Sequence, residues 1–151
     1  MQPSDPLTRF CFEFDSTNRI LRAVFSDVVT DEDITIFYAM VTQHSAALDP
    51  LAGVLDLSAV TSFEVSVQTI RNLAWSDPAM PHPERPRFIV AESSHIFGMA
   101  RMFAFEGEST RPNLHVVRSA REAWVILGIR EPQFTPVPPL DHATSNPNFA
   151  S

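Results

Sequence analysis

Three short strand-like runs, Leu51 to Leu57, Arg87 to Ala91 and Asn113 to Arg118, are each followed by a segment of helical period. The first two are almost wholly apolar, as a strand buried on both faces must be. Strands joined through helices run parallel, with right-handed crossovers. The chain is thereby committed to an α/β sheet with helices packed on it. At 151 residues it is long enough for one domain and too short for two.

The helices carry their own signals. Val67 to Trp75 follows Ser66, a residue type that caps helices, and stops before Pro78. Ser93 or Ser94 opens a helix to about Glu106, with Ile96, Met99, Ala100 and Phe103 on one face. Phe97, Met102 and Phe105 lie off that stripe, which gives this helix a second partner, another subunit being one candidate. Gly98 in mid-helix implies close backbone packing there. Ser119-Ala-Arg-Glu122 is a capping box; Ala120, Ala123, Trp124 and Leu127 form the stripe, and Gly128 ends it.

Upstream, Arg9 to Asp15 alternates with Phe10, Phe12 and Phe14 on one face and Cys11, Glu13 and Asp15 on the other. Ser16-Thr-Asn18 is a turn, and Arg19 to Ser26 alternates again, so the pair reads as an antiparallel hairpin at the sheet edge. Thr30 with Asp31, Glu32 and Asp33 is a helix start, the acids complementing the positive helix end. Ile34, Phe37, Tyr38 and Val41 give its core stripe, and Asp49-Pro50 closes it. Residues 76–86 hold four prolines and read as a stiff surface loop. Residues 1–130 form the domain on this reading. Residues 131–151, with five prolines, form a tail in which Phe134, Val137 and Leu140 can dock on the body.

The expected total is about five strands and four helices in a single sheet, mainly parallel with an antiparallel N-terminal hairpin. The net charge of −7 argues against nucleic-acid partners, and no apolar run is long enough for membrane insertion. With one cysteine, no secretory leader and no span, the chain reads as cytoplasmic. Cys11 is expected to be a buried structural thiol. Twelve Phe against one Tyr point to an aromatic core or a dry interface.

No catalytic motif is present. Four glycines leave no phosphate loop, and the five histidines form no metal-ligand pattern, so neither cofactor nor metal is expected. The remaining candidate is Asp56-Leu-Ser-Ala-Val-Thr-Ser-Phe-Glu-Val-Ser66, a loop at the carboxyl end of a strand, where open α/β sheets engage ligands and partners. Its polar positions are Asp56, Ser58, Glu64 and Ser66. On the third helix, Phe97, Gly98, Arg101, Met102 and Phe105 are the candidate ligand or interface positions. The bland role of Arg101 is an ion pair with Glu106 or Glu108.

This stretch resembles the strand–loop–helix pattern of the STAS domains, the SpoIIAA-like anti-sigma factor antagonists. Ser66 falls on the phosphorylated serine of that pattern and Glu64 on its acid. The chain departs from it at Ala59, Val65 and Val67, where the pattern has glycine, serine and glycine. Together with Phe97-Gly-Met-Ala-Arg-Met102, the order of elements resembles a divergent SpoIIAA-like group of small bacterial proteins. The resemblance implies a small α/β sheet with helices and a non-enzymatic, regulatory interaction domain. It further implies a homodimer that works through protein–protein contacts at residues 58–75. The architecture is also similar to CRAL-TRIO lipid-binding domains, which implies as an alternative a carrier or sensor of a small hydrophobic ligand.

Overall fold

A computed structural model describes residues 10–138 of the chain. The elements in order are β1 (Phe10–Asp15), β2 (Ile20–Thr30), α1 (Asp31–Leu48), β3 (Ala52–Glu64) and α2 (Val67–Trp75). They continue with β4 (Arg87–Val90), α3 (Ser94–Glu106), β5 (Leu114–Val117), α4 (Ala120–Leu127) and β6 (Thr135–Val137). One mixed sheet has the order β5-β4-β3-β2-β1-β6. β2 to β5 are parallel neighbours, and β1 runs antiparallel to both β2 and β6.

Each crossover from β2 to β5 steps to the next strand in the same direction. Right-handed crossovers taken in one direction place their helices on one face. Ile34, Phe37 and Val41 of α1, Ile70 of α2, and Ile96 and Ala100 of α3 accordingly share one core with Leu21, Ala23, Phe25, Leu57 and Ile89. Residues of opposite parity, Ile20, Val54, Phe88, Val90 and Val117, face the other way and meet Ala123 of α4. The phenylalanines do fill a core: Phe10, Phe12, Phe25 and Phe37 meet in five ring pairs with centroids 4.8 to 5.9 Å apart, mostly edge to face, between β1, β2 and α1.

The helix starts are as the sequence predicts. Thr30 and Asp33 form a reciprocal capping box, and Ser66, Ser93 and Ser119 each accept an amide of their own first turn. Gly128 closes α4 with φ 74°, a conformation open to glycine and strained for other residues. In the hairpin turn the left-handed residue is Arg19 (φ 57°) rather than Asn18. The buried carboxylate of Asp15 fixes this turn by accepting the Thr17 and Asn18 amides and the Asn18 side chain.

Four expectations are corrected. β3 does not end at Leu57 but runs to Glu64, pairing with the far half of β2 through two register shifts. Val60, Thr61 and Phe63 favour an extended chain, and an 11-residue β2 supplies the hydrogen-bonding edge. The hairpin is not the edge of the sheet, because β6 adds outside β1, with Thr135 opposite Phe14. The segment read as tail thus contributes a strand. Phe134 lies on Trp124 and the Arg22 guanidinium, and the Gln133 amide donates to Asp15, whereas Leu140 lies outside the described residues. Cys11 is exposed on the back of β1, since α4 covers only the β3–β5 side of that face. Partial burial of the thiol and the nearby Glu13 carboxylate raise its pKa. Finally, a side chain at Gly98 would meet nothing within 4 Å, so no close packing explains that glycine.

Two buried titratable groups set the pH dependence of folding. His44, buried in α1 with its ring 4.5 Å from that of Phe12, has its pKa lowered by burial and leaves Nε2 without a partner. The unfolded chain takes up this proton near pH 6.5, and the folded chain does so only at lower pH. Stability should therefore be full above about pH 6.5 and decline below it. For Asp15, burial alone would raise the pKa, but the hydrogen bonds from Asn18, Thr17 and Gln133 outweigh it and the net shift is downward. Its contribution should be present above about pH 3.8 and be lost as pH falls through the lowered folded value. Urea midpoints measured against pH should show both declines, and His44→Leu should abolish the upper one alone.

Candidate functional site

The polar positions of the Asp56–Ser66 stretch do not converge. Asp56, half-buried on β3, accepts the amide and hydroxyl of Ser58 at 2.9 and 2.5 Å. Glu64 accepts the Ser62 hydroxyl at 2.9 Å. Between the Asp56 and Glu64 positions runs extended chain of roughly 26 Å, at about 3.3 Å per residue. Ser66 caps α2 by accepting the Thr69 amide at 3.1 Å, and its own amide donates to Asp31 Oδ1 at 2.7 Å. Asp31 therefore already stands where an anion would sit at this helix start. A phosphate on Ser66 would meet a like charge there.

The positions on α3 are similarly divided. Arg118 lies over the half-buried Phe97 ring at 4.0 Å, and Arg101 lies over it at 5.9 Å. Arg101 is exposed and makes no ion pair with Glu106 or Glu108; Glu106 instead faces Arg71 and accepts from Trp75 Nε1. Met102 is half-buried against the core, while Phe105 is 74 % exposed.

An apolar concavity lies elsewhere. Between the sheet and the layer of α1, α2 and α3 is a cavity of about 150 Å³. Its wall is apolar and includes the small residues Ala23, Ala79 and Ala100. Half-buried Leu73, Met99 and Phe103 of its lining connect it to the surface. Gly53 serves close approach, since a Cβ there would lie 2.5 Å from Met80 Sδ.

One end of this cavity is basic. Arg87 and Arg111, only 8 % and 5 % exposed, both line it at the amino-terminal edge of β4 and β5. Arg111 donates to the carbonyls of Leu73, Ala74 and Ser76, closing the C-terminal end of α2, and to the Tyr38 hydroxyl at 2.9 Å. Tyr38 in turn donates to the Asp77 carbonyl. Gly107 leaves room for this guanidinium: a Cβ would lie 2.8 Å from Nη1. Arg87 spends Nη2 on the carbonyls of Met80, Pro81 and His82, which fixes the proline-rich loop. Sequence reasoning passed over both arginines. Their signals were an arginine heading an apolar strand and another set between Gly107 and Leu114 amid polar residues.

Binding at the carboxyl edge of an open α/β sheet depends on a reversal in strand order. From β2 to β5 the order never reverses. The arrangement therefore offers a site under the helices that opens past half-buried side chains, and no crevice at the carboxyl edge. Among the described residues no three His, Cys, Asp or Glu side chains group as metal ligands, and no helix is long and apolar enough to cross a membrane. No known protein family matches the chain, and no curated protein matches it.

Two substitutions test these local roles by chemical denaturation. Ser66→Ala should cost about 1 kcal/mol through the lost cap. Gly98→Ala should add up to about 1 kcal/mol, because the new methyl enters open space on a helix.

Proposed function

We propose that the protein is a non-enzymatic carrier or sensor that holds a small apolar molecule between its sheet and its helices. The cavity carries this reading. A concavity of 150 Å³ with an apolar wall gives an apolar molecule contacts on several sides. A dry apolar cavity of about this volume admits benzene in another protein, which sets the scale of the occupant.

Native mass spectrometry followed by denaturation should release a species on the order of 100 Da per chain, the scale set by a benzene-sized cavity. Ala100→Leu, which extends α3 into the cavity, should keep the chain folded within about 2 kcal/mol while the released mass disappears. A chain that carries no small molecule and binds none would remove this reading.

A second reading rests on a different observation. Trp75, 63 % exposed at the end of α2, hydrogen-bonds Glu106 at the end of α3, where Phe105 is also exposed. Large apolar side chains left in solvent at adjoining helix ends support a contact surface. This fits a SpoIIAA-like regulatory interaction domain, homodimeric or bound to another protein through residues 58–75. A sedimentation measurement decides the homodimer: if Trp75 and Phe105 form its interface, Trp75→Ala should shift a dimer to monomer.

A further inference from the structure

The geometry points to a small organic anion as the cavity's occupant, its apolar body against the core and its negatively charged head on Arg87 beside Arg111. This deepens the reading of the cavity as a ligand site and rests on it. Two guanidinium groups, each more than nine-tenths buried, line a cavity that is otherwise apolar. Among the described residues neither has a carboxylate within ion-pair distance. Their partners are carbonyl and hydroxyl oxygens, which satisfy donors and leave the charge in place.

Burying charge without a counter-charge is costly even where hydrogen bonds are complete. Here they are not complete: Arg87 Nε is fully buried and has no partner. Burial, and then the neighbouring charge of Arg111, lower the Arg87 pKa, and the opposing effects of Tyr38 and of Glu84, which lies beyond ion-pair distance, do not cancel them. A bound anion beside the two guanidinium groups would supply the counter-charge that the pair lacks. The two arginines need not be recruited for this, because the α2 carbonyls and the proline-rich loop already hold them in place. Arginine suits the role, since its planar fork matches a carboxylate and its charge persists when buried.

The size of the cavity limits the body to about a single ring or a short branched chain. Benzoate and nitrobenzene share a shape and differ in charge, so together they separate the head from the body. By titration calorimetry, benzoate should bind the intact protein at least tenfold more tightly than nitrobenzene, and formate should bind far more weakly than either. Arg87→Lys keeps a cation and removes the planar fork that matches a carboxylate; it should weaken benzoate about tenfold and leave nitrobenzene unchanged. If nitrobenzene binds as well as benzoate, the cavity reading stands and the anionic head is overturned. Formate matching benzoate overturns the coupling of head to apolar body. If no probe binds, both the head and the cavity reading fall. The comparison of probes on the unaltered chain holds whether or not the variant folds.

Discussion

Three right-handed crossovers taken in one direction constrain everything else in this fold. They lay α1, α2 and α3 side by side on one face, and they leave the other face to whatever the remaining chain can supply. That remainder is one short helix and the segment leading into β6, which cover the back only in part. The sheet's two sides are therefore unequal. The helix side has three layers of contact to satisfy at once, and it is there that the cavity lies.

The helix layer needs a tie at its open end, and a single side chain provides it. Arg111 reaches α2 through carbonyls, α1 through Tyr38, and α3 through the face of Phe103 at 4.9 Å. The proline-rich loop is tied by Arg87 in the same manner, and by Arg85, which binds Asp49 at the end of α1. Cationic side chains thus take over work that backbone pairing does within the sheet. The site proposed above uses the surplus charge that this arrangement creates.

What was legible in the sequence was whatever depends on near neighbours. Caps at Thr30, Ser66, Ser93 and Ser119 and the left-handed Gly128 follow from a few consecutive residues, and the structure has each of them. The α/β class follows from period alone. The extension of β3 was not legible, because Val60 and Phe63 pair with Asp27 and Val29 across an intervening helix. β6 has only three residues, one of them proline, and no local pattern announces it. The polar positions from Asp56 to Ser66 were legible individually as caps and turns. Their separation was not, since it depends on the chain between them being strand. The cavity was hidden for a similar reason: Gly53 and Ala100 are far apart in sequence, and a void is a property of what lies opposite.

The pairing of β6 with β1 sets an order of events during synthesis. β1 leaves the ribosome well before the strand that covers its outer edge; Thr135 donates to the Phe14 carbonyl across 121 residues. Until then the outer edge of β1 presents bare amides and carbonyls beside a phenylalanine-rich face, a template for pairing with another nascent chain. Neighbouring copies on one messenger are thus exposed to each other for as long as those intervening residues take to be made. The arrival of β6 marks the end of that interval.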